Sequence, residues 1–473
     1  MMAFIDKNFL LNSDIAQSLY SKYASGLPII DYHCHIDPEE IASDRKYDNI
    51  TQIMLGGDHY KWRLMRAAGV PEEKITGGAS DKEKFTAFAS VLPKAIGNPI
   101  YHWTHIELKK YFGYEGLLSE RTADEVWELC NDVISESSLS ARKIIGMSNV
   151  EVICTTDDPI DSLQPHERCE ADQSLKTKVI PAFRPDKAVK INAPGFSTYI
   201  EKLGTAAGIK IQTMEDLYSA LRARIEHFDA HGCRISDHGL DTIVYREAKA
   251  PELDAILAKG MEGAKGMEGA KLSQEEEEAY ITAVMLFLGR EYARRNWIMQ
   301  LHYGALRNVN SQMFRALGPD TGYDCIGETT CGNALARYLD ALNEDNLLPK
   351  TIVYSLNGND NAMIDTLVGC FQNGKASGWM QHGAAWWFND TLYGMKDHLE
   401  NYAAHSMLGT FIGMLTDSRC FLSFSRHDYF RRILCDWIAE LILSGQYPED
   451  EKALKELIEG ISYYNAKQYF GLE

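Results

Sequence analysis

The 473-residue sequence predicts an α/β protein whose main body is a distorted (β/α)8 TIM-type barrel, with a helical insertion after the first strand. Two patterns carry that prediction. Eight short β-rich runs are separated by stretches of helical apolar spacing, and such alternation implies a parallel sheet with crossover helices. Between the first and second runs, roughly residues 40–148, several helix-like stretches occur without a convincing strand. The expected organisation is therefore a barrel made of 1–39 and 149–473, interrupted by a helical insertion at 40–148.

Taken in order, Asn8 to Ala24 carry a helical spacing that covers the first strand. That strand is the apolar run Pro28-Ile29-Ile30-Asp31-Tyr32, which leads into His33-Cys34-His35. Side chains alternate faces in an extended chain, so His33 and His35 point one way and Cys34 the other. Two imidazoles side by side at a strand end can share one metal ion, and neutral imidazole suits zinc and its neighbours. The plainer alternative is two polar residues at a strand exit. In the insertion, Thr122-Ala123-Asp124-Glu125 has the pattern of a capping box opening a helix through Val126, Trp127 and Leu129.

The remaining runs are Val150–Cys154, Lys178–Phe183, Gly232–Ser236, Trp297–His302, Thr351–Leu356, Gly378–Gln381 and Thr410–Thr416. Between the fourth and fifth, Gly-Met-Glu-Gly-Ala-Lys occurs twice in tandem over Gly260–Lys271. Two six-residue copies are too few for a solenoid, and the glycines suggest a mobile surface loop. It leads into a helix starting near Ser273, in which Glu275 to Glu278 form a charged first turn.

With 45% hydrophobic and 24% charged residues, the chain can bury a large core. Its net charge of −19 repels polyanions, which argues against nucleic acid and anionic membrane surfaces as partners. The start lacks a basic segment followed by an apolar one, and no run approaches a membrane span, so a cytoplasmic protein is expected. The 10 cysteines form no Cys-x-x-Cys pair and read as reduced core thiols. A homo-oligomer is expected, of a state the sequence leaves open.

In a barrel, polar residues just beyond the strands line one mouth. Here they include Arg184 after the third strand, Asp237 and His238 after the fourth, and His302 with Arg307 after the fifth. His382 and Trp386-Trp387 follow the seventh strand, and Asp417 with Arg419 the eighth. Strands one and eight are neighbours in a closed barrel, which makes Asp417 the natural third ligand beside His33 and His35. Its other reading is the N-cap of the next helix. A guanidinium fork matches a carboxylate, so Arg184 and Arg307 are either anchors for an acidic substrate or surface ion pairs. The two tryptophans are either a wall for a sugar ring or core aromatics. His102 and His105 have helical surroundings and read as partly buried insertion residues. His227 and His231 stand four apart without the glutamate that a His-Glu-x-x-His protease requires.

Six motifs in order resemble the uronate isomerase (glucuronate isomerase) branch of the amidohydrolase superfamily. They are Asp31-x-His33-x-His35, Asp58-His59-Tyr60-Lys61-x-Arg63, Phe183-Arg184-Pro185-Asp186, Leu301-His302-x-Gly304-Ala305-x-Arg307-Asn308, Trp386-Trp387-Phe388-Asn389-Asp390 and Thr416-Asp417-Ser418-Arg419. The resemblance implies interconversion of D-glucuronate with D-fructuronate, and of D-galacturonate with D-tagaturonate, through an enediolate. It implies one divalent metal ion, zinc above others, on His33, His35 and Asp417, and catalytic roles for Asp417, Arg419, Tyr60 and His59, the last two supplied by the insertion. Arg184, Arg307, His302 and Trp386 would bind the hexuronate, with His302 either a substrate partner or a further metal ligand. The alternative is a mononuclear metal-dependent hydrolase of the same superfamily, acting on an amide, lactone or ester.

Overall fold

The computed structural model of the protein describes residues 4–263, 272–328 and 331–472. In chain order its strands are β1 (Ile29–Asp31), β2 (Val150–Cys154), β3 (Lys178–Ile180), β4 (Ala182–Phe183), β5 (Ile235–Gly239) and β6 (Ile298–Tyr303). A small pair follows, β7 (Ala305–Leu306) with β8 (Cys325–Ile326), and then β9 (Thr351–Ser355) and β10 (Met380–His382). The strands form an α/β fold with two parallel sheets, ordered β1-β2-β3 and β10-β9-β6-β5-β4, while β7 and β8 pair antiparallel. β6 and β9 are buried along their whole length, as parallel strands covered on both faces must be, and this explains their near-continuous apolar runs.

Pro181, which has no N–H to donate, separates β3 from β4. The chain nevertheless runs on beside the residues after β2: Asp157 N donates to Ala182 O at 3.0 Å and Arg184 N to Asp157 O at 2.9 Å. The two sheets thus meet along residues 178–184.

Three expectations need correction. The run expected at Gly232–Ser236 forms its strand three residues later, as β5, so Asp237 and His238 lie inside the strand. Thr410–Thr416 is not a strand: Leu408–Thr410 is a short helical turn, Gly413 and Asp417 take positive φ, and Thr416 N donates to the side chain of Asp31 at 2.8 Å. Thr122 does open the helix Ala123–Ser137, but its hydroxyl accepts from Ser119 N and donates to Leu117 O, so the capping box does not form.

From Pro38 to Met147 the regular elements are helices; those that matter for the site are His59–Ala67 and Pro99–Phe112. Leu108, Phe85 and Trp103 from this segment share one apolar cluster with Ile30, Val152 and the helix Ser425–Leu443. A second cluster fills the space between β4, β5, β6, β9 and their covering helices. Each fully buried large aliphatic or aromatic side chain there contributes about 1.5–3 kcal/mol.

The cysteines are free thiols, most of them buried. Lys259–Gly263, read as loop, end the helix Ala250–Gly263, and residues 264–271, which hold the rest of the tandem copy, lie outside the described residues. The helix Gln274–Arg294 begins as expected, with Ser273 and Glu276 forming a capping box. Among the described residues no helix is long and apolar enough to cross a membrane.

Candidate active site

Beyond Asp31, where β1 ends, the chain bends at His33 yet keeps bonding to alternate sides. Cys34 N donates to Cys154 O at 3.1 Å on one side, and His35 N donates to Ser418 O at 3.0 Å on the other. That alternation sends both imidazoles the same way, towards Asp417. His33 Nε2 lies 3.2 Å and His35 Nε2 3.1 Å from the same oxygen, Asp417 Oδ1. Asp31 pins the partner segment from below by accepting from Thr416 Oγ1 as well as Thr416 N. Asp417 itself has φ +47°, a left-handed conformation that aspartate tolerates better than most residues and that tends to occur where function demands it.

The donors suit a cation. Burial drives His35 down to about 4, so its imidazole is neutral, the form that ligates. Burial also presses His33 down, but Asp237 and Asp417 outweigh it and raise its proton affinity. Asp417 is only partly buried, and against that burial hydrogen bonds from the two histidines hold its carboxyl well below the usual range. The ligand atoms of His33, His35 and Asp417 lie within 4.8 Å of one another, a spacing that one metal ion can bridge.

Asp237 organises the second layer, and its role there is one that sequence reasoning missed. Fully buried, it is hydrogen-bonded to His302 Nδ1 at 2.7 Å and forms an ion pair with Arg184 Nη1 at 3.1 Å, with His33 Nδ1 at 3.9 Å. Opposing burial, Arg184 and the two histidines hold its carboxyl well below the usual range. His33, Asp237 and His302 form a second group close enough to hold a cation. The signal for Asp237 was present, an acid at a strand end, but the run was placed three residues early.

A cavity of about 410 Å³ opens over these groups. His33, His35, His302, Asp417 and Arg419 line it, together with Arg184, Arg307, His59 and Trp386. Tyr60 lies off it. It lines an adjoining cavity of about 320 Å³ with Asp390, and His59 and Trp387 wall both. The Tyr60 ring stacks on His59 at 5.1 Å, its buried hydroxyl has no hydrogen-bond partner among the described residues, and burial pushes its proton affinity well up.

Arg184 is committed: Nε meets Asp186 at 2.8 Å and Nη1 meets Asp237, and these carboxylates overcome burial to keep it charged. Arg307 pairs with Asp324 at 3.0 Å and lies 4.9 Å over the Trp387 ring. Trp386 is both wall and core: it lines the cavity, is buried, donates from Nε1 to Ser355 O at 3.0 Å and packs edge-on to His302.

Other polar candidates lie elsewhere. His238 faces Tyr292 behind the sheet, and His382 bonds Asp365 at 2.9 Å. His105 accepts from Leu118 N and bonds Tyr101 O, as a structural histidine would, and His231 meets Glu167.

Fold and site together define a parallel α/β enzyme that gathers a His-His-Asp group able to hold a cation under a rim of guanidiniums. The chain belongs to the glucuronate isomerase family, whose model matches residues 1–470. It is 51% identical to the uronate isomerase of Lachnospira eligens over the full length of both chains, and 50% identical to that of Caldanaerobacter subterraneus subsp. tengcongensis, again over all of both. The crystal structure of uronate isomerase from Thermotoga maritima superposes with a TM-score of 0.92 at 35% identity, covering 99% of this chain and 100% of that one. Glucuronate isomerase from Caulobacter crescentus shares the fold, with a TM-score of 0.90 at 24% identity over 100% of this chain and 97% of that one.

Proposed function

We propose that the protein interconverts D-glucuronate and D-fructuronate, and D-galacturonate and D-tagaturonate, by proton transfer through an enediolate in the cytoplasm. The convergence of His33, His35 and Asp417 on one point beside Arg419 and Arg307 is the observation that carries this reading. Membership of an isomerase family sets aside the hydrolase alternative.

His33, His35 and Asp417 would hold one divalent ion, zinc above others, and their convergent donors fit it. When bound, such an ion supplies positive charge to the oxygens that become anionic as the enediolate forms. Asp417 takes the hydroxyl proton from one sugar oxygen and returns it to the other, assisting ring opening on the way. His59 lines the cavity, and burial together with Arg419 lowers its proton affinity, leaving the neutral imidazole that can receive the C2 proton. His59 then gives that proton to C1, while Arg419 holds the charge on the adjacent oxygen and Tyr60, stacked on His59 from the adjoining cavity, orients the imidazole. Arg307, Arg184, His302 and Trp386 bind the sugar acid.

The same reading closes the strands into a (β/α)8 barrel of residues 1–39 and 149–473, with 410–416 as the eighth stave and 40–148 as an insertion that delivers His59 and Tyr60. Support comes from the bonds of His35 N to Ser418 O and Asp417 N to His33 O on one edge, and of Gln381 Nε2 to Thr410 O on the other. The test is to incubate zinc-loaded protein with D-glucuronate and follow the ketose. Fructuronate is expected from the wild type and not from Asp417→Asn; a wild type that makes none ends the proposal.

A further inference from the structure

Each lysine and arginine on the wall of the candidate cavity faces a carboxylate, and one carboxylate serves two of them. Arg184 is held by Asp186 and Asp237, Lys187 lies 3.0 Å from Asp158, and Lys190 lies 3.3 Å from Asp241. Arg307 has Asp324 at 3.0 Å. Arg419 has Asp320, with Nη2 to Oδ2 at 3.2 Å, and the other oxygen of Asp320 lies 3.7 Å from Arg307 Nη1. An anion entering this cavity must therefore take positive charge away from a carboxylate already present.

Among these carboxylates Asp320 is the one that faces two guanidiniums, and its exposure places it to give way. The side chains of Asp237 and Asp324 are 0% and 4% exposed, whereas that of Asp320 is 51% exposed. It sits at φ +57° between Gly318 at +82° and Gly322 at +94°, at the tip of the turn joining the helix Ser311–Leu317 to β8. The backbone beyond the tip is anchored: Arg66 donates to Thr321 O and Arg63 Nη1 donates to Asp324 O at 2.7 Å. Releasing the two guanidiniums thus requires only a side-chain rotation, which an exposed residue makes in picoseconds to nanoseconds.

We propose that Asp320 is a built-in competitor for the substrate's carboxylate. Its side chain bridges Arg307 and Arg419 until a sugar acid enters, whose carboxylate takes over Arg307 while Arg419 is freed for the reacting end, so Asp320 sets the affinity of the site for anions and makes entry selective for a ligand that restores the lost ion pair. The inference rests on the sugar-acid reading above. It adds a specificity-determining residue that touches neither the metal ligands nor the reacting carbons.

The test compares wild type with Asp320→Asn, which removes the charge, keeps the shape and tolerates the left-handed backbone. The probes are D-gluconate, a carboxylate that cannot isomerise, and D-glucitol, its uncharged counterpart, each titrated into the metal-loaded protein by calorimetry. Asp320→Asn is expected to bind D-gluconate about two- to fivefold more tightly, the scale of an exposed ion pair, with D-glucitol unmoved. The gain should shrink as salt rises, and KM for D-glucuronate should fall in step. Unchanged or weaker D-gluconate binding, or an equal gain for D-glucitol, overturns the proposal. If the wild type turns over D-glucuronate and the D-gluconate affinity does not move, Asp320 loses this role and the isomerase reading stands. If the wild type forms no fructuronate, that reading falls and this proposal falls with it.

Discussion

Asp237 receives Nδ1 of His302 at 2.7 Å inside a fully buried pocket, and the other oxygen of the same carboxylate meets Arg184. A carboxylate on Nδ1 fixes the proton there and leaves the Nε2 lone pair for another partner; no partner for that atom stands among the described residues.

Asp237→Asn keeps the volume but abolishes the charge that orients His302 and faces His33. Loss of such a supporting carboxylate costs about 10- to 100-fold in activity or metal affinity. We expect kcat with D-glucuronate to fall in that range and zinc to be released at lower chelator concentration. Unaltered values in both assays would show that the histidines are oriented without it.

Replacing His33 and His35 together by alanine should remove the bound metal. Elemental analysis of the purified variant is expected to give a substoichiometric content, and the thermal midpoint should no longer drop when chelator is added, since a ligand bound only by the native state adds stability by mass action. Full metal content in the double variant would move the site elsewhere.

Lys61 is buried between Asp58 at 3.2 Å and Glu107 at 3.3 Å, and donates to Met54 O. Lys61→Met leaves two carboxylates buried without their cation, a defect that costs about 3–5 kcal/mol. Urea unfolding should register that loss, and Lys61→Met with Glu107→Leu should recover part of it. A loss below 1 kcal/mol would mean water already reaches the pair.

Burial lifts the Asp390 carboxyl to about 7, against the pull of Arg426 at 3.4 Å. An unfolded aspartate gives up its proton near pH 4, so between about 4 and 7 the folded protein holds a proton that the unfolded chain has lost. Stability from this group is therefore complete at low pH and is lost as pH rises through 7, with a slope of at most about 1.4 kcal/mol per unit. Asp390→Asn should flatten the urea-derived stability profile over that window; an unchanged slope would assign the proton elsewhere.

Much of this was readable from local pattern. The apolar runs of β2, β6 and β9 announced buried parallel strands because both faces of such strands are covered. His33 and His35 were legible as a pair because extended chain alternates faces whether or not a ladder is present. The eighth run misled: Phe411-Ile412-Gly413-Met414-Leu415 has strand composition, but Gly413 carries φ +77° and Tyr32 donates to its carbonyl from a side chain, so over 413–416 bonds to the side chains of Asp31 and Tyr32 stand where a ladder was expected.

By itself, then, the sequence determined the alternation of strands and helices, the order of His33, His35, Asp417 and Arg419, and the family, since periodicity, strand-end polarity and motif order are local properties of the chain. Only the tertiary structure decided that Asp237 ties His302 to Arg184, that Arg184 is spent on two carboxylates, that Tyr60 stands one cavity away from the donors, and that Asp320 spans Arg307 and Arg419. Those relationships join residues from separate strands and loops. Which acid meets which base across them depends on packing, and packing leaves no periodic trace in sequence.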